Sequence, residues 1–302
     1  MTDRRITRAN VERHLAAYAH EPGLLFGEYV CLVSGGSSGV RGIFVQTEIF
    51  NRWLDDDWGF SYQDRIYAAP HIPLIDPILA TAELDRVLDD GARVIALRPG
   101  PAYGRSPADP VFDPFWARLQ EAGVPAAYHS YAGPDVYDES WRLLWQRHGA
   151  TDPRYEANLR IAMTFDRGMV ETALALVLGN LFGRFPGLRT LSIELGAGWV
   201  SHVMHMLDHA VGLTERHIEA FGQTVAERPS EVFKRHFWIS PFPEEDIIGL
   251  TELIGVERVL FGSDWPHAEG TEAPLDYASY LQGLEPSAAR RIMSQNGLEL
   301  LT

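Results

Sequence analysis

Arg258-Val259-Leu260-Phe261-Gly262-Ser263-Asp264-Trp265-Pro266-His267 decides the fold. Val259 to Phe261 is a short apolar run, the pattern of a strand buried on both faces. Gly262 and Ser263 end it, and Asp264 follows at the carboxyl end of the strand. Pro266 has no N–H to donate and stops regular structure. A carboxylate just past a buried parallel strand sits where (β/α)-barrel enzymes keep their chemistry. The competing reading of Asp264 is a cap for the next helix.

Working outward, apolar runs alternate with helical periodicity from about residue 65 to the end, the mark of parallel β/α units. Residues 65–74 read as one strand, with Asp76-Pro77 opening a helix behind it. Val94 to Leu97 is the next strand and delivers Arg98. Val124 to Tyr128 delivers His129, Thr190 to Ile193 delivers Glu194, and residues 236–241 form a further strand. Helices are expected at 80–88, 112–122, 170–182, 199–213 and 244–253. His202, His205 and His209 lie close together on one of them, at i, i+3 and i, i+4 spacings that suit either a metal pair or an exposed polar face.

The first 48 residues read differently. A short helical pattern covers Asn10 to Tyr18. A strand-like run, 24–33, is joined through the Gly/Ser-rich stretch 34–42 to a second strand, 43–46. Such a loop is a flexible hairpin tip or, by its exposed N–H groups, a phosphate cradle.

Composition sets outer bounds. With 302 residues, 46% of them hydrophobic, the chain suits one large barrel with a small appendage. A formal net charge of −15 argues against nucleic-acid and anionic-membrane partners. Lys234 is the only lysine, so a Schiff-base mechanism would have to use it. Cys31 is the only cysteine and excludes an intrachain disulfide. The Arg-rich start has no apolar core segment, which sets the expectation of a cytoplasmic protein. A homo-oligomer is left open.

The string around Asp264, with the Phe185-Pro186-Gly187-Leu188-Arg189 turn, resembles the amidohydrolase-related superfamily, in particular its decarboxylase-like branch, over residues 49–302. Residues 6–45 resemble the phosphate-loop segment of phenylacetate–CoA-ligase-like adenylate-forming enzymes, with Arg41 where those have lysine. The rest of that ligase fold is absent from the sequence, so residues 1–48 are expected to be a remnant without an ATP site.

The amidohydrolase resemblance implies a TIM-like (β/α) barrel carrying one divalent metal, most commonly zinc. It also implies hydrolysis or non-oxidative decarboxylation of a small carboxylated substrate. His129 and Asp264 match two of the family's metal ligands, and Asp264 would also carry the proton. Glu194 stands where better-known relatives have histidine and can act as acid, base or ligand. Arg98 and His267 are candidates for binding substrate. The bland alternatives are a hydrogen-bonded His129, ion pairs at Glu194 and Arg98, and a surface His267.

The family's His-x-His pair is missing from this chain. The expectation is therefore a barrel lacking its first one or two strands, with two unpaired edges. Its metal site would be incomplete and hold zinc weakly or not at all. A non-catalytic barrel that binds a small molecule or partner is the alternative.

Overall fold

The fold is built on a four-stranded parallel sheet extended at each side by one bridge residue. The computed structural model describes residues 10, 13, 30–33, 43–46, 48–102, 104–129, 162–215, 227–265, 267, 270 and 273–302. The expected helix at 10–18 (apart from residues 10 and 13) and the loop at 34–42 lie outside the described residues. The chain divides into two units, residues 1–57 with 131–165, and residues 58–130 with 166–302.

In the first unit β1 (Val30–Val33) pairs antiparallel with β2 (Ile43–Gln46), Val30 opposite Gln46 and Val33 opposite Ile43. Helix α1 (Glu48–Trp58) follows.

The second unit carries the barrel. Its small antiparallel pair, β3 (Ser61–Tyr62) and β4 (Ile66–Tyr67), precedes helix α2 (Pro77–Asp89). Asp76 caps α2 by accepting from the N–H groups of Ile78 and Leu79, and Pro77 takes the first turn, where no donor is needed. Then come β5 (Ile95–Leu97), α3 (Asp113–Ala122), β6 (Ala126–His129), α4 (Arg167–Leu178), α5 (Leu181–Arg184) and β7 (Thr190–Ile193). Next are α6 (Val200–Glu215), α7 (Pro229–His236), β8 (Phe237–Ile239) and α8 (Ile247–Ile254). The chain closes with α9 (Pro286–Arg290), a π-helical turn at Arg291–Gln295, and α10 (Asn296–Leu301).

Strands β5 to β8 pair in chain order, all parallel. Single parallel bridges, His71 to Ala96 and Val259 to Ile239, add the flanking segments. This is the arc of a TIM-like barrel. The expected strand at 65–74 is reduced to the His71 bridge, held by Ile72 N–H to Ala96 O at 3.0 Å and Ala96 N–H to Pro70 O at 2.8 Å. Pro70 and Pro73 lack N–H groups and so cannot extend the ladder. The expected helix 170–182 is broken at Asn180, whose φ of 53° is left-handed. His236 ends α7 instead of opening β8.

Alternation along the strands sorts the core into two layers. Ile95, Ala126, Tyr128, Ser192, Phe237 and Ile239 are buried toward the helices, and Phe237 packs edge-on to Phe182 of α5 and stacks on Phe233 of α7. Val94, Ala127, Leu191, Trp238 and Leu260 form a separate cluster on the inner face, the barrel lumen. Leu300 of α10 belongs to that cluster, and Leu301 packs against it. Arg189, just before β7, donates to Glu299 O, so α10 covers the amino-terminal end of the lumen.

The edges are not left bare in the way the missing strands suggest. Beyond the Val259 bridge, Phe261 N–H donates to Ile292 O at 3.2 Å, which occupies a donor that a further strand would otherwise pair. At the other side, the prolines around His71 blunt the edge. Among the described residues no helix is long and apolar enough to cross a membrane.

Candidate functional site

Every strand in the arc points the same way, so the residues that end the strands meet at one mouth. Leu97 pairs with Tyr128, and the residues that follow them, Arg98 and His129, stand level on neighbouring strands. His129 in turn pairs with Ile193, which puts Glu194 one step further along β7. The His129 imidazole donates through Nε2 to Glu194 Oε2 at 2.7 Å. The Asp264 carboxylate accepts from His267, Nδ1 to Oδ1 at 2.9 Å. Ligand atoms of Glu194, Asp264 and His267 all lie within 4.8 Å of one another. The structure thus gathers His129, Glu194, Asp264 and His267 into one constellation, with Arg98 level with His129.

Two backbone features hold the carboxylates. Glu194 and Asp264 both adopt left-handed φ values, 55° and 53°. That region costs a non-glycine residue about 1–2 kcal/mol and recurs at functional sites. Behind Glu194, the Glu245 carboxylate accepts from Ala197 N–H at 2.8 Å, Gly198 N–H at 2.9 Å and Phe242 N–H at 2.8 Å. It staples the turn after β7 to the turn after β8. Gly196 is required there, because a Cβ would stand 3.0 Å from Glu245 Oε1 and 3.1 Å from the Phe242 ring. Behind Asp264, Gly262 lies against buried Ser240, and a Cβ would come within 2.5 Å of its Oγ. His267 N–H donates to Asp264 O at 2.9 Å, closing a turn that brings the His267 ring back onto the Asp264 carboxylate.

His71 lies at the same bridge as Ala96, two residues before Arg98, with its Nδ1 shut off from solvent. Burial lowers its pKa to about 4, and the Arg98 charge adds to the shift. It is a neutral imidazole inside the barrel. Sequence reasoning missed His71 and Glu245. Nothing in the sequence marked Glu245 as the acceptor for the turn at Ala197 and Gly198. His202, His205 and His209 sit on α6, outside this constellation.

The donor set fits a divalent cation. It offers two carboxylates and an imidazole at mutual distances suited to one ion, with a second imidazole hydrogen-bonded to one of the carboxylates. From the sequence, His129 and Asp264 matched the family's ligands, with Glu194 or His267 as possible substitutes. The geometry instead brings Glu194 and His267 to Asp264, and ties His129 to Glu194.

Comparison with known proteins places this geometry in a family. A family model described as amidohydrolase matches residues 23–302, beginning upstream of residue 49, where the sequence resemblance was expected to start. A γ-resorcylate decarboxylase from Rhizobium sp. (strain MTP-10005) is 28% identical over 219 residues, 67% of this chain and 60% of that protein. The chain therefore spans about 60% of the length of this curated relative. The crystal structure of an amidohydrolase from Mycobacterium avium subsp. paratuberculosis K-10 is 37% identical, covers 84% of this chain and 64% of that one, and superposes with a TM-score of 0.73. A dihydroxybenzoic acid decarboxylase from Polaromonas sp. JS666, solved with manganese and the inhibitor 2-nitroresorcinol, shares the fold at 21% identity and a TM-score of 0.58. That match covers 78% of this chain and 68% of that one. With a barrel arc whose strand ends converge on acidic and imidazole groups, and a family match across residues 23–302, this chain belongs to the amidohydrolase family.

Proposed function

We propose that the chain is a metal-dependent carboxy-lyase that removes carbon dioxide from a small hydroxylated aromatic carboxylate. The convergence of Glu194, Asp264 and His267 within 4.8 Å, with His129 bonded to Glu194, carries this reading. The curated γ-resorcylate decarboxylases among its relatives supply the substrate class. Glu194, Asp264 and His267 would hold the metal. Two carboxylates and one imidazole make an oxygen-rich set, which suits manganese better than zinc. A divalent ion bound there supplies Lewis-acid polarisation of a substrate oxygen.

The other steps fall to side chains. Arg98 offers its guanidinium fork to the substrate carboxylate at the mouth. His71, neutral beside it, leaves the Arg98 charge uncontested by a second cation. Asp264 in its acid form gives a proton to the ring carbon that bears the carboxylate. The bond from that carbon to the carboxylate then breaks, its electron pair returns to the ring, and carbon dioxide departs. One proton is consumed per turnover, and solvent returns it to Asp264. His267, bonded to Asp264 Oδ1, fixes which oxygen faces the substrate. His129 does the same for Glu194.

Hydrolysis of a carboxylated amide is the second reading, favoured by the family itself, with Asp264 taking a proton from water. The test incubates metal-stripped protein with Mn²⁺ and 2,6-dihydroxybenzoate and measures released carbon dioxide. Turnover that Asp264→Asn and His129→Ala each reduce at least about 100-fold is expected. Stoichiometric Mn²⁺ binding without carbon dioxide release, but with hydrolysis in an amide panel, would favour the second reading. Absence of Mn²⁺ binding would return the chain to a non-catalytic barrel.

A further inference from the structure

A second group of imidazoles lies away from the mouth. His205 and His209 are exposed on α6, roughly 8 and 14 Å along the helix from Val200 at the usual rise per residue. Their rings lie nearly parallel, 11° apart, with centroids at 5.9 Å. The i, i+4 spacing sets both exposed side chains on one helix face, where rotation about their χ angles can bring one nitrogen of each to a shared ion. Both line a cavity of about 550 Å³ between α6 and α7, whose lining also includes Met204, Asp208, Arg228 and Lys234.

The charged groups of this cavity are matched to one another. Asp208 accepts from Arg228 Nε at 2.6 Å, from Ser230 N–H at 3.0 Å and from Ser230 Oγ–H at 2.8 Å. These bonds hold its carboxyl below the usual range against the opposing effect of burial. Lys234 pairs with Glu231 at 3.0 Å. Among the described residues, two cations thus offset two anions in this lining. The two imidazoles are the groups left to act as donors, and neutral imidazole is a ligand for borderline transition metals.

We propose that His205 and His209 form a two-point chelate for a divalent transition metal such as Ni²⁺, Cu²⁺ or Zn²⁺, independent of the barrel mouth. The i, i+4 spacing pre-pays the cost of bringing the two ligands together, because the helix already holds them one turn apart. Water fills the remaining coordination positions from the open cavity. The mouth, with two carboxylates, favours harder ions, so one chain would carry two sites of different taste. Binding at α6 also rewards the helical state of residues 205–209, so the metal stabilises that turn.

The full chain is titrated calorimetrically with Ni²⁺ in a Glu194→Gln/Asp264→Asn/His267→Ala background, which removes all three proposed ligands of the mouth. One equivalent is expected to bind, and affinity should weaken as pH is lowered, because a ligating imidazole must be neutral. His205→Ala and His209→Ala should each weaken that binding at least about 10-fold. His202→Ala, one turn before the pair, should leave it unchanged. All three positions are exposed, and matching circular dichroism spectra will confirm folded variants. Unchanged affinity in His209→Ala, or an equal loss in His202→Ala, overturns the assignment. So does the absence of any Ni²⁺ binding in the background variant.

Discussion

Glu194 and Asp264, on strand ends that β8 separates, share one backbone oddity: each holds its φ in the left-handed region, at 55° and 53°. Side chains that disfavour this conformation occupy it at the two carboxylates of the constellation, and nowhere else at the mouth among the described residues. Glycine there would relieve about 1 kcal/mol of strain. Glu194→Gly and Asp264→Gly are therefore expected to be as stable as the parent or more so in urea denaturation. Each should lose Mn²⁺ affinity at least about 10-fold. Destabilisation of both by more than about 2 kcal/mol would show that the carboxylates serve the fold instead.

Glu245 is expected to matter as much as a ligand. Its carboxylate satisfies three N–H groups on two turns, those of Ala197, Gly198 and Phe242. Glu245→Ala should cost about 2–3 kcal/mol, since it strands several donors at once. It should also loosen the turn that aims Glu194, and lower Mn²⁺ affinity about 10- to 100-fold. Glu245→Gln retains only part of this and should fall between. Equal metal affinity in parent and Glu245→Ala would separate the staple from the site.

Gly262 and Ser240 form a steric pair. A Cβ at Gly262 would come within 2.5 Å of Ser240 Oγ but stand an ordinary 3.8 Å from Ser240 Cβ. Gly262→Ala is expected to destabilise by about 1–3 kcal/mol, as overpacking does. Ser240→Ala removes the clashing oxygen, so the double variant should recover most of the loss. A double-mutant cycle measures this directly, and additive effects would mean that the backbone, not the hydroxyl, sets the cost.

The buried imidazole of His71 makes stability depend on pH. Its folded pKa is lowered to about 4, first by burial and then by Arg98. Between about 6.5 and 4 the unfolded chain takes up this proton and the folded chain does not, so stability is full above 6.5 and falls as pH drops. Between pH 6.5 and 5 this amounts to at most about 2 kcal/mol. His236 acts in the same direction: burial lowers its pKa, partly opposed by its bond to Leu188 O. Urea denaturation at pH 7 and pH 5 should show a drop that is smaller in His71→Gln than in the parent. An identical drop in both would assign the acid sensitivity elsewhere.

The parallel arc was legible in the sequence because each buried strand ended in a residue of a different kind from its apolar run: Arg98, His129, Glu194, Asp264. Period and punctuation located those residues without any contact information. What pattern did not show was partnership. Glu245 sits at an unremarkable helix entrance, and only the folded chain brings its carboxylate to Ala197 and Gly198. His267 looked uncertain behind Pro266, because a turn that returns onto its own Asp264 leaves no periodic trace. His71 was absorbed into a long strand reading that Pro70 and Pro73 cut to one bridge. The resemblance to a family with a His-x-His pair drew attention to what was missing, while the sequence could not show that Glu194 and His267 come within reach of Asp264.

The placement of Leu300 and Leu301 has a consequence for how the molecule is made. They complete the lumen begun by Val94, so the inner core joins stretches that lie far apart in the sequence. Such contacts are slow to form, since the intervening chain must be ordered before they are rewarded. Until α10 docks, the strands can be in place while the interior stays open. In that window the inner face of the sheet is exposed and the chain is prone to associate.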